Sequence, residues 1–402
     1  AHGAGAVITF DASAQLLSGP LALHGSFNYQ TRAYQGELQA DGLALDRLPA
    51  ITRRRLPIAG EVSLRGAGQG TLAAPTFQLT ATAPQLVIAG QTITGLQLDA
   101  RLQDSRVHAT FAATALKTAL TAQADLGWGG AWPLQARLDA PAIPIAPLLV
   151  AFAPQQAEGV HGQTELHATL SGPLTHPEAL QAQVTFPTLS LAYGSTLRLQ
   201  AAQPIEARLD QGVVTLQPAH LTGTDTDLHL SGSLPLRGNV AAAALHVAIN
   251  GTVDARLLEA FVPNLTSSGR LQLNVNAGGT LAQPHLAGAI QISDLAINNP
   301  DWPVALQAGH GALRLADDRM DVTAFEASVG GGTLTLSGGL NLGAAPRFNL
   351  ALAARSIRFR LPPSLRDTVN ADLVFSGTPQ QALRSGRAQV LQVMPVPGLD
   401  FA

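Results

Sequence analysis

The sequence contains no cysteine. This removes thiol catalysis, disulfides and cysteine-based zinc sites. Lys117 is its one lysine, and the formal net charge is −3. There is therefore no general electrostatic case for nucleic acid as a partner. Aromatic residues make up 4% of the chain and charged residues 13%, the latter about half the usual share. A membrane-spanning run is also missing. The densest apolar stretch, 140–154, carries Pro141, Pro144 and Pro147 and is too short to cross a bilayer. No basic and apolar leader opens the chain, so any signal or anchor is expected outside it. Even so, hydrophobic residues reach 46% and mean hydropathy is +0.17. The apolar side chains must be gathered on one face.

Catalytic and ligand-binding constellations are equally sparse. The eleven histidines are scattered, with His108, His176, His220, His229, His246 and His285 standing alone. His161, Glu165 and His167 would share one face of a strand, but their spacing spreads them along it and no fourth ligand is evident. No metal and no cofactor is expected. Gly66-Ala-Gly-Gln-Gly70 opens no helix and reads as a turn rather than a phosphate cradle. Asp225-Thr-Asp227 reads as an exposed strand edge. Arg53-Arg-Arg55, the only basic run, reads as a solvated turn, with contact to anionic headgroups as the alternative. Trp128 and Trp132 read as packing residues rather than a sugar platform. Nothing here points to an enzyme.

What the sequence does have is a recurring phrase. It reads Gly-Thr-Leu-Ala-Ala-Pro from Gly70, Gly-Pro-Leu-Thr-His-Pro from Gly172, Gly-Thr-Leu-Ala-Gln-Pro from Gly279 and Gly-Thr-Pro-Gln-Gln-Ala from Gly377. The spacings are 172−70 = 102, 279−172 = 107 and 377−279 = 98 residues. Self-similarity at a fixed period marks an array of supersecondary units. Leu148-Leu-Val-Ala-Phe-Ala-Pro154 is matched by Leu257-Leu-Glu-Ala-Phe-Val-Pro263. Polar hairpin turns recur at 103–106, 210–212 and 317–319. The expected organisation is one continuous array, cut from a longer protein. Its approximate units are 1–48 (partial), 49–146, 147–255, 256–360 and 361–402 (partial).

Between these markers the pattern has period two, the signature of half-buried strands. In Thr333-Leu-Thr-Leu-Ser337 and Asp227-Leu-His-Leu-Ser231 the leucines alternate with polar residues. Segments of about 5–9 residues bounded by Gly, Pro, Asn and Asp predict about 35 strands, reaching ~170 Å at most if stacked at ~4.8 Å. Short helical stretches at 146–152 and 255–262 occur once per repeat and would cap or plug the sheet. The apolar stripe is assigned to Leu199, Val214, Leu216, Leu228, Leu230, Leu234, Leu236, Leu271, Leu273, Val275, Leu313, Leu315, Leu334, Leu336, Leu340 and Leu342.

Leu170-Ser-Gly-Pro-Leu-Thr-His-Pro177, Gly279-Thr-Leu-Ala-Gln-Pro-His-Leu-Ala-Gly288 and Gly330-Gly-Gly-Thr-Leu-Thr-Leu-Ser-Gly338 resemble the periplasmic repeats of the AsmA-like superfamily, in particular the TamB family. The resemblance extends over roughly 45–390. It implies an all-β protein, an elongated repetitive antiparallel sheet curled into a U-shaped, taco-like groove with short capping helices. It implies a periplasmic bridge in a diderm bacterium, anchored to the inner membrane by a segment absent from this chain. Phospholipids would be the cargo. An outer-membrane barrel assembly protein of the TamA or BamA type would be the partner, through regions outside this chain. The alternatives are a chaperone-like scaffold for outer-membrane barrel and autotransporter assembly, and a closed structural or adhesive β-solenoid.

Overall fold

The computed structural model describes residues 2–395 except 5, 17–18, 53–56, 89, 150–158, 194–196, 237–242, 261, 263, 281–282, 303, 342–345, 361–364 and 379–380. Among these residues the chain is all-β and antiparallel, with 26 strands and a few short helical turns. The strands are fewer and longer than the sequence pattern predicts, because glycine runs through them instead of ending them. Gly66, Gly68 and Gly70 all lie inside the strand Ile58–Thr71. Gly68 stands opposite Phe77 in the next strand, and a Cβ on Gly66 would lie 3.2 Å from the tip of that ring. The glycine-rich segment is therefore a strand interior that makes room for an aromatic side chain, not a turn.

The chain divides into two compact units. The first comprises 1–147, 163–189 and 206–212, and the second 148–162, 190–205 and 213–402. In the first unit each strand pairs with the next along the sequence, up to Val160–Pro173 and Gln181–Phe186. In the second, Leu189–Tyr193 pairs with Leu197–Ala201, which pairs with Val213–Gly223. From there consecutive strands pair in order to Ala382–Pro395.

The recurring phrase has a defined geometry. At three of its four positions it is the same tight connection between two strands. Thr71 and Ala74 exchange backbone hydrogen bonds, as do Thr280 with Gln283 and Thr378 with Gln381. The threonine hydroxyl accepts a further bond from the amide of the fourth residue, at 3.1, 3.0 and 3.1 Å. The preceding glycine has φ of 121° at Gly70 and 81° at Gly279, conformations that L side chains rarely adopt. The phrase from Gly172 departs from this and leads into a 3-10 turn at Pro177–Ala179. The polar turns follow a different rule. Asp104 and Ser105 both have positive φ, 49° and 56°, as a two-residue hairpin of the primed type requires.

Most strands carry a register shift with an extra residue, for example between Ala40 and Leu43, Leu216 and Ala219, or Val322 and Phe325. Such bulges bend the strand and increase its twist. The buried core lies near these shifts. One cluster in the first unit joins Val62, Ala81, Ala83 and Leu86, with Leu45 of a 3-10 turn packed on it. One in the second unit joins Val329, Ala354, Ile357 and Ala371. Short helical turns occur at Leu45–Arg47, Ile145–Leu149 and Ala255–Ala260. Tertiary bonds fix the last of them to the following strand, since Ser267 donates its hydroxyl to Ala255 O and its amide to Glu259 Oε1.

Gly70→Ala is expected to lower the thermal midpoint, because its Cβ would lie 2.5 Å from Ala74 O in addition to the φ strain. The cost should be about 1–3 kcal/mol. A melting curve that superimposes on wild type would refute this reading of the turn.

Candidate functional site

The second unit holds all the apolar positions assigned from the sequence. Directly paired residues of an antiparallel ladder project to the same side, so the register can be followed from strand to strand. Leu199 stands opposite Gly223, and Leu221 opposite Leu228. Leu230 pairs with Ile249, Ile249 with Val275, and Leu273 with Ile290. Ile290 pairs with Leu313, Leu313 with Val322, and Phe325 with Leu336. Leu336 then pairs with Leu352, and Leu352 with Leu373. One face of the unit is thus apolar from Leu191 to Phe375.

Fourteen of the assigned residues lie on that face. Leu228 and Leu315 are buried, with 9% and 7% of their surface exposed. Leu199, Val214, Leu216, Leu230, Leu234, Leu271, Leu273, Val275, Leu313, Leu334, Leu336 and Leu340 are half-buried. Leu236 lies just past the end of the strand Thr226–Pro235 and is 42% exposed, because the alternation continues through Pro235 while the ladder does not. Leu342 lies outside the described residues. A dry solenoid core would bury such side chains fully.

The face contains further residues that the sequence pattern did not single out. Ile249, Ile290, Ile292, Val322, Phe325 and Leu352 belong to it by register. Ile290 and Ile292 do alternate in the sequence and were legible. Val322 and Phe325 are three apart, out of phase with a period of two, and only the bulge between them returns both to one face. The first unit has an apolar face of the same kind, running through Leu38, Leu64, Ala81, Leu98, Phe111 and Leu138. It is richer in alanine and glycine, which is why leucine alternation did not reveal it.

The opposite face carries the polar groups, and there histidines meet carboxylates across strands. His24 lies 3.2 Å from Asp11 and His108 2.9 Å from Asp125. His167 contacts Asp139 at 2.5 Å and Glu165 at 3.2 Å. The Asp139 hydrogen bond raises the His167 pKa above its ordinary value against some desolvation, and Glu165 adds to it. His161 lies apart from this pair, among residues lining a shallow cavity with Leu191, Leu199 and Gly223. His220 and His229, isolated in the sequence, stand directly opposite each other with Asp227 beside them. The tryptophans Trp128 and Trp132 pack on each other with ring centroids 4.9 Å apart, and Trp128 stays 49% exposed. The run 53–55 lies outside the described residues. No helix among the described residues is long and apolar enough to cross a membrane.

Residues 321–394 match the family model described as TamB C-terminal domain. The matched stretch covers the last strands of the second unit, from within Arg319–Val329 to Ala382–Pro395. This supports the TamB and AsmA-like family that the repeats resemble.

Two outcomes follow from this geometry. The chain has no cysteine, so Leu273→Cys and Asn274→Cys can each carry a polarity-sensitive maleimide dye. Emission from position 273 should be blue-shifted relative to 274, and identical spectra would contradict a sided sheet. In an NMR titration His167 should deprotonate above the free-histidine value of about 6.5, and Asp139→Asn should lower its midpoint. The pair's contribution to stability is complete below about pH 6.5 and is lost as pH rises through the raised value.

Proposed function

We propose that this chain is a bridge-like periplasmic protein whose apolar β-face binds phospholipids and conducts them between the inner and outer membranes. The observation that carries this reading is the unbroken row of half-buried apolar side chains across neighbouring strands of the second unit. The match to the TamB C-terminal domain supports a TamB-like role in outer-membrane assembly or lipid transport at the level of the family.

Acyl chains would lie on the stripe and headgroups at its polar margin. Apolar contact contributes about 0.8 kcal/mol per buried CH₂, enough to hold a two-chain lipid at any station. Movement costs little, because each step exchanges one row of leucine, valine, isoleucine and phenylalanine contacts for an equivalent row. The chain would do no covalent chemistry, and no single residue of the stripe would be essential. The partner that goes with this reading is an outer-membrane barrel assembly protein of the TamA or BamA type.

One feature favours a second reading, a scaffold that templates outer-membrane barrel strands by edge addition. The strand Ala382–Pro395 has one ladder partner among the described residues. Its Leu383, Val390 and Leu391 are 67%, 56% and 49% exposed. An unpaired strand edge with apolar side chains is a template for another strand.

Leu336→Asp separates the two readings. A carboxylate on the stripe must be desolvated when lipid passes. Photocrosslinking of phospholipid to probes on either side of position 336 should fall several-fold, while strand content is kept. Wild-type crosslinking together with lost barrel assembly would favour the scaffold.

A further inference from the structure

On the face opposite the apolar stripe, the hairpin formed by Val213–Gly223 and Thr226–Pro235 brings three metal-ligating side chains to one point. His220 and His229 are direct cross-strand partners, and Asp227 is two residues from His229 on the same face. The imidazoles stack with centroids 4.3 Å apart and planes 18° from parallel. Both Nε2 atoms face the same carboxylate oxygen, at 3.0 Å from His220 and 3.4 Å from His229. The ligand atoms all lie within 4.8 Å of one another, and no other such group of three occurs among the described residues.

We propose that His220, Asp227 and His229 bind a divalent late transition-metal ion, with Zn²⁺ the fitting probe. Zinc–nitrogen and zinc–oxygen bonds of about 2.0–2.2 Å make the edge of a tetrahedral site about 3.3 Å long. The two nitrogen-to-oxygen separations of 3.0 and 3.4 Å bracket that edge, and side-chain rotation of the two stacked imidazoles, now 4.3 Å apart and 18° from parallel, would turn both Nε2 atoms toward one ion. Two imidazoles and one carboxylate are a donor set suited to zinc, nickel or copper rather than magnesium or calcium. His229 and Asp227 are exposed and His220 is half-buried, so remaining positions stay open to water or to a ligand from a partner. The other histidine–carboxylate contacts lack this convergence. His24, His108, His176 and His285 each face one carboxylate with no second imidazole, and His167 meets Asp139 and Glu165 through opposite ring nitrogens, which cannot share one ion. Asn250 stands opposite His229 on the next strand, so the neighbouring group on that side is neutral and does not repel a cation.

Bound there, the ion would clamp the hairpin from its polar side, leaving Leu228 and Leu230 on the other face undisturbed. The site would be a stabilising staple placed outside the lipid path, independent of whether lipid is the cargo.

The test uses the untagged chain, stripped with chelator and titrated with Zn²⁺ in a calorimeter. Wild type should take up one ion per chain, and its thermal midpoint should rise with added Zn²⁺. His229→Gln should weaken binding by at least about tenfold and abolish the thermal shift, while His108→Gln should leave both unchanged. X-ray absorption of the loaded wild type should show imidazole scattering with first-shell distances near 2.0–2.1 Å. If His229→Gln loses its strand signal in circular dichroism, Asp227→Asn decides by the same two readouts. Absence of saturable uptake by wild type, undiminished binding in the folded variant, or a first shell without imidazole would each overturn the site.

Discussion

The physical constraint on which this structure depends is the parity of its sheet. A strand presents alternate residues to opposite sides, and a slip of one residue between neighbours would send every leucine to the polar face. Strand after strand in the second unit keeps that parity, from Leu199 to Phe375. The tight threonine turns that begin at Thr71, Thr280 and Thr378 help to hold it, because a connection of fixed length fixes the register of the strands it joins. Bulges do not break it. Each adds one residue, bends the strand and returns the next apolar side chain to its proper face.

A sheet built this way pairs its successive strands within the layer, but one face remains apolar. In ordinary domains a second layer covers that face. Here cover is supplied locally, near the bulges, where short helical turns and small buried residues such as Ala83, Ala140 and Ala354 pack closely. Elsewhere the stripe stays half-buried. On the proposed function this stripe is the surface on which an apolar occupant would lie, and the sameness of its rows is consistent with a mobile one.

Much of this was legible in the sequence. Alternation placed Leu334, Leu336 and Leu340 on one face, and the phrase beginning at Gly70 marked a real turn geometry. Strand length was not legible, because Gly66 and Gly68 read as punctuation when they are spacers opposite Phe77 and its neighbours. Phe325 was missed because a bulge shifts the phase locally, and Leu236 was included because alternation does not announce where a ladder stops. The meeting of His220 with His229 depends on pairing across a hairpin, which spacing along the chain does not display.

The central claim is that the apolar face is open and carries lipid. It is tested most directly by purifying the chain from bacterial cells without detergent, followed by native mass spectrometry with lipid extraction. The account predicts several phospholipids bound per chain. A monodisperse, stable chain free of lipid would contradict it and would mean that the leucine stripe is covered by the protein itself.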